Sequence, residues 1–367
     1  MPLTSRGAAL TVLLVGLALA AVLWIGSQQA QREVLLKGSG ATFPMPQIQA
    51  WAYRFTSKHP GIKIEYAGVG SGQGISDFLN GIVDFAGSDV PLNDQQYSAA
   101  RSRFGEVYQL PYILGGVAVV YNVPEIKGAG NLRLTGEVLA DILLGKIAYW
   151  DDPRIRELNP GLNLPHKEIV LVYRSDASGT NEVFTKYLSY VSPEWRKTVG
   201  AGKTVQWPLA GLGRAVGAKG NPGVAQAVNS TPYALGYVEL AYTKGLGVAA
   251  IRNKSGNFVL PTPRSVTIAA SALPALDPSS SIAGVNYLEA IFGNPDPDAY
   301  PISTPTFLVV KGPKNYDPPK AKALALFLKY IATEGQSPES IVEGYAPVPQ
   351  QLREAILRVA AILEAGG

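Results

Sequence analysis

A strand, a turn rich in glycine and hydroxyl side chains, and a helix follow one another repeatedly along this chain. That order commits it to an α/β fold. The sharpest instance starts at Ile169-Val170-Leu171-Val172, an apolar run of strand length. Tyr173-Arg174-Ser175-Asp176-Ala177-Ser178-Gly179-Thr180 comes next. Val183, Phe184, Tyr187 and Leu188 then recur on one face of a helix. Ser178, Gly179 and Thr180 therefore fall at a helix start. There the backbone N–H groups have no intrahelical partner and the dipole end is positive. Arg174 adds a full positive charge just before the turn. Together these groups suit a small oxyanion.

Three further segments share this logic. Val34-Leu35-Leu36 reads as a strand, Gly38-Ser39-Gly40-Ala41-Thr42-Phe43-Pro44 as a turn, and Ile48, Trp51, Ala52 and Phe55 as one helix face with Pro46 in its first turn. Ile62, Ile64 and Tyr66 alternate as a strand. A glycine-rich turn holding Ser71 follows, and then a short helix with Ile75, Phe78 and Leu79 on one side. Val83 to Asp89 reads as a strand that ends at the carboxylate. Ligands of open α/β sheets bind beyond the carboxyl ends of the strands, where Thr42, Phe43, Ser71, Asp89 and the Arg174–Thr180 stretch all fall. The alternation predicts largely parallel sheets. Tyr112 to Tyr121, an apolar run containing Gly115-Gly116, is long enough to carry the chain between domains. A helix is expected at Glu137–Leu144, a strand at Thr306–Val310 and another helix around Lys320–Ile331. The region from Gly200 to Pro301, rich in glycine and proline, shows no clear period.

The carboxylate of Asp89 is out of place beside an anion. Either it caps a turn, or the ligand still carries a proton for which it is the acceptor. Monohydrogen or dihydrogen phosphate meets that condition. Fully ionised sulfate would set two acceptors against each other, at a cost of about several kcal/mol when buried. On the second reading Asp89 selects phosphate over sulfate.

Composition removes other chemistries. The chain of 367 residues suits two domains, and with 47% apolar and 16% charged residues it can bury a large core. There is no cysteine, hence no disulfide, thiol catalysis or cysteine-held metal. The two histidines, His59 and His166, stand beside prolines in expected loops, so neither metal binding nor histidine-dependent catalysis is expected. A formal charge of +4 without a dense Lys/Arg stripe gives no nucleic-acid signature. The tryptophans and tyrosines read as core. Gly200-Ala201-Gly202-Lys203-Thr204 echoes a phosphate-binding P-loop but lacks its first glycine, because Lys197 holds that position. Ala8 to Gly26 is apolar, uncharged and preceded by Arg6. It is longer than the roughly 7–15-residue core of a signal peptide, which favours an uncleaved membrane anchor over a removed leader. Either way the rest of the chain would lie outside the cytoplasmic membrane.

The quoted segments resemble the phosphate-binding proteins of ABC importers. The resemblance rests on Gly38–Pro44, Gly70-Ser71-Gly72, Gly87-Ser88-Asp89-Val90-Pro91-Leu92 and Arg174–Thr180, with the stretch Leu139–Pro153 and, more weakly, Gly236-Tyr237-Val238-Glu239 and Tyr345-Ala346-Pro347. It covers roughly Leu36 to Leu357. The family implies an α/β, two-lobed periplasmic-binding-protein-like fold of type II, with two hinge crossings, preceded here by the N-terminal hydrophobic segment. Residues 1–33 would be the anchor and linker, 34–116 with 301–367 the first lobe, and 117–300 the second. Phosphate would be held by Thr42, Phe43 (through its N–H), Ser71 and Asp89 from the first lobe and by Arg174, Ser178, Gly179 and Thr180 from the second. Asp176 would orient Arg174 from behind. Gly72-Gln73 and Ala177 depart from the residues often found there, which implies altered affinity and the same ligand.

The implied function is high-affinity phosphate binding and delivery to ABC permease subunits by an extracytoplasmic monomer that has no cofactor and does no chemistry. A phosphate-ester hydrolase on the same fold would need a base or metal near Ser71 or Ser178. A phosphate sensor without transport is the other alternative.

Overall fold

The computed structural model describes residues 33–366. The apolar segment Ala8–Gly26 lies outside them. No helix among the described residues is long and apolar enough to cross a membrane.

The chain builds β1 (Val34–Gly40), α1 (Met45–Lys58), β2 (Ile62–Gly68), α2 (Ser71–Leu79), β3 (Phe85–Ser88), α3 (Asp94–Phe104) and the long β4 (Val107–Asn122). Then follow α4 (Gly136–Leu143), β5 (Val170–Arg174), α5 (Gly179–Val191), β6 (Ala215–Ala218), α6 (Gly220–Ser230) and β7 (Ala234–Glu239). The chain closes with β8 (Ser303–Lys311), α7 (Pro318–Ala332) and α8 (Gln350–Ala365). Shorter elements complete it. Three of them, at Arg133–Leu134, Ala250–Arg252 and Phe258–Val259, form a small separate sheet.

The main sheet has the order β2-β1-β3-β8-β4-β7-β5-β6. Its flanks are parallel: β1 pairs with β2 and β3, and β5 with β6 and β7. Its centre is antiparallel, because β8 runs against both β3 and β4, and β4 against β7. The expectation of largely parallel sheets therefore needs correction to a mixed sheet. The cause is long-range. β4 leaves the β1–β3 half and enters the β5–β7 half, while β8 pairs with it in the opposite sense. Residues 107–116 of β4 pair with β8, and residues 117–122 with β7.

This arrangement fixes where a ligand site can form. β3 runs in the direction of β4, toward the second half. β7, β5 and β6 run back toward the first. The carboxyl ends of the two parallel groups thus face each other across the midline, and the helices that follow them begin there.

Local sequence explains those helix starts. Ile48, Trp51 and Phe55 of α1 are buried against the core, and Pro46 occupies its first turn. The Trp51 indole also donates to the Gly335 carbonyl at 2.9 Å. Val183, Phe184, Tyr187 and Leu188 of α5 are all buried. Burial of each such side chain contributes about 1.5–3 kcal/mol. Several boundaries shift from the sequence reading, and two of the shifts bear on the site. Gly38, Ser39 and Gly40 continue β1 instead of turning, and Ser71 is the first residue of α2, with Gly70 before it.

Candidate functional site

All of the sequence-derived site residues converge on the midline. Thr42, Phe43, Ser71, Asp89, Arg174, Ser178, Gly179 and Thr180 are buried. Thr42 and Phe43 form the turn between β1 and α1, and Ser71 opens α2. Asp89 follows β3 directly. Arg174 is the last residue of β5. Ser178 caps α5, accepting from the Asn181 N–H at 3.0 Å.

The halves are in direct contact here. Thr180 Oγ1 donates to Asp89 Oδ2 at 3.0 Å. The Gly72 N–H donates to the Ala177 carbonyl at 2.9 Å. Three glycines make this closeness possible. A Cβ on Gly179 would lie 2.4 Å from Ser71 Oγ and 2.8 Å from Asp89 Cβ. One on Gly72 would lie 2.5 Å from Ala177 Cβ, and one on Gly70 2.5 Å from Asp176 Oδ2.

Arg174 is held from behind as expected. Its Nε donates to Asp176 Oδ1 at 2.8 Å and its Nη2 to Oδ2 at 2.6 Å, a fork that fixes the guanidinium plane. The remaining Nη1 faces Thr180 Oγ1 at 3.4 Å. Burial pushes the Asp176 carboxyl up. The bonds and charge of Arg174 and the Gly220 N–H outweigh that and hold it below the usual range.

Asp89 has the opposite balance. It is 1% exposed. Burial raises its pKa to about 6, against the opposing pull of the Thr180 bond, the Arg174 charge and the Thr306 bond. When ionised it is the one group in the set that can only accept, beside hydroxyls, helix-terminal N–H groups and a guanidinium. Among the described residues, no group of three or more His, Asp or Glu side chains could hold a metal ion.

Several residues in the site escaped the sequence reading. The buried Asn221 donates from Nδ2 to Thr42 Oγ1 at 3.0 Å and to Thr180 Oγ1 at 3.2 Å, tying one half to the other. Its Oδ1 accepts from the Glu239 N–H at 2.9 Å. Gly220, at φ +71°, precedes it and admits the sharp entry into α6. The pattern of β6, glycine and α6 repeats the motif read elsewhere, but it was lost in the Gly/Pro-rich region. Thr306 donates to Asp89 Oδ1 at 3.1 Å from the middle of β8, where no local signal marks it. The loop that echoed a P-loop has a supporting place: the Lys203 carbonyl accepts from the Ser178 N–H at 3.0 Å, beneath the start of α5.

Residues 26–334 match the PBP superfamily domain. The phosphate-binding protein PstS of Methanocaldococcus jannaschii is 45% identical over 326 residues, 87% of this chain and 84% of that one. The phosphate-binding protein PstS of Pasteurella multocida is 39% identical over 88% of each chain. A solved phosphate-binding protein from Stenotrophomonas maltophilia aligns with a TM-score of 0.67 at 23% identity, over 89% of this chain and 94% of that one, a likeness of fold.

Proposed function

We propose, on the premise that this chain belongs to the PBP superfamily and within it to the PstS phosphate-binding proteins, that it binds inorganic phosphate outside the cytoplasmic membrane and delivers it to an ABC importer. It is a binding protein and not an enzyme. Residues 34–116 with 301–367 form one lobe and 117–300 the other, and the two close on the anion. Arg174 supplies the charge. Thr42, Ser71, Ser178 and Thr180 supply hydroxyls, and Phe43, Gly179 and Thr180 supply backbone N–H groups. The protein acts as a monomer, and the segment Ala8–Gly26 ties it to the membrane.

One observation carries the ligand assignment: among the residues proposed to touch the anion, the buried Asp89 carboxylate is the one side chain that, when ionised, can only accept. It matches an oxyanion that keeps a proton and opposes one that does not. Titration calorimetry with phosphate and with sulfate on the full chain tests this. Phosphate is expected to bind and sulfate to fail. Sulfate binding without phosphate binding would remove the assignment. Asp89→Asn is expected to narrow the preference for phosphate about tenfold or more, because the amide can donate to either anion. An unchanged ratio would show that selectivity resides elsewhere.

The same carboxyl predicts a pH dependence. Its folded value near 6 lies above the ordinary one. Its contribution to stability is therefore complete below about pH 4 and is lost as pH rises through about 6. For the ligand, the ionised form above that range accepts a proton's bond, whereas the protonated form below it donates. Competition between phosphate and sulfate, measured at pH 5 and at pH 7.5, is expected to show about tenfold weaker discrimination at the lower pH. Equal discrimination at both would separate Asp89 from selectivity.

A further inference from the structure

Three successive carbonyls in the turn between β1 and α1 each accept from a tyrosine. Tyr66 donates to the Ala41 carbonyl at 2.9 Å, Tyr242 to Thr42 at 2.6 Å and Tyr345 to Phe43 at 2.5 Å.

The three bonds are not equivalent. A carbonyl and the N–H of the following residue are the two ends of one planar, resonance-coupled peptide group. Tyr345 holds the carbonyl whose peptide nitrogen belongs to Pro44 and carries no hydrogen. Tyr242 holds the carbonyl whose group ends in the Phe43 N–H. That N–H has no hydrogen-bond partner among the described residues. Donation to one end of a peptide group strengthens the donor at the other. Tyr242 also differs in origin. Tyr66 belongs to β2, in the same half as the turn, and Tyr345 precedes α8, which packs in that half too. Tyr242 lies in the short 3-10 turn Leu240–Tyr242 after β7, on the opposing half, and is only half-buried. Its bond to Thr42 therefore crosses from one half to the other.

We infer that Tyr242 is a positioning residue for phosphate: by gripping the Thr42 carbonyl across the closed seam, it aims and strengthens the Phe43 N–H donor. Closure and the quality of the anion site are thereby one event. This rests on the phosphate reading above, and the experiment separates the two.

The Tyr242→Phe variant of the full chain keeps the ring and removes the hydroxyl. Its phosphate dissociation constant is expected to rise about tenfold, mostly through faster release in stopped-flow measurements. Without phosphate, its melting temperature should stay within about 2 °C of the parent, because the bond belongs to the closed form. In phosphate-saturated protein, the Phe43 amide proton resonance should move upfield as the peptide group loses polarisation. Affinity within about twofold of the parent, or an affinity loss with no change at the Phe43 amide, would overturn the inference. Failure of the unmodified chain to bind phosphate would overturn the functional reading itself, and the inference with it.

Discussion

Gly179→Ala is expected to weaken phosphate binding about a hundredfold, roughly 3 kcal/mol, the upper range for inserting a methyl group into a packed seam. The added Cβ would meet Ser71 Oγ at 2.4 Å, Asp89 Cβ at 2.8 Å and the Asp89 nitrogen at 3.0 Å. Two of those contacts are with main chain or its first side-chain atom, which cannot swing aside. Relief comes only from parting the two halves, and that also breaks the bond between Thr180 and Asp89. The empty protein should not suffer. Gly179 does not use a left-handed backbone, so alanine fits its conformation and restricts the unfolded chain, a gain of about 0.4–1 kcal/mol. Calorimetry and thermal melting together give the signature: affinity lost, melting temperature of the phosphate-free protein level or higher. Binding at the parent's strength would show that the seam yields.

Arg174→Met should weaken phosphate binding about a hundredfold to a thousandfold, as charge-assisted hydrogen bonds of about 1.5–3 kcal/mol each are lost. Here the empty protein does suffer. Asp176 loses the fork that compensates its partial burial, at a cost below the about 3–5 kcal/mol of breaking a fully buried pair. The sign with pH follows from Asp176. With Arg174 present, its carboxyl is held low, so it stabilises the fold above the unfolded value and loses that contribution as pH falls. The stability gap between parent and variant should therefore widen as pH rises through about 4 and close in stronger acid. Urea unfolding at pH 3.5 and pH 7 measures it. A gap that ignores pH would mean that Asp176 does not depend on Arg174. The two variants thus separate the roles: one blocks closure in a sound fold, the other removes charge and stability together.

Parts of this site are visible in the chain because their geometry is local. A strand, a glycine and a capping serine fix the direction of a few N–H groups within one turn, as at Ser178 and Thr180. Arg174 and Asp176 are two residues apart and pair without help from the rest of the fold. Thr306, Asn221 and Tyr242 are different. Thr306 reaches Asp89 from more than two hundred residues away, and its neighbours read only as a buried strand. Asn221 stands in a stretch where glycine and proline erase any period. The antiparallel centre of the sheet was hidden for a similar reason. The apolar run in β4 announces burial, but strand direction depends on which partner the chain meets later.

The glycine seam sets a ceiling on what can be carried. Gly70 and Gly72 close on Asp176 and Ala177 with no space for even one added carbon, and Gly179 does the same against Ser71 and Asp89. A phosphate monoester has such a carbon on one of its oxygens. Any sugar or lipid arm would wedge the entrance open, so the closed form could not be reached. The expected cargo is the free ion, with organic phosphorus reaching this carrier after the ester has been cut outside.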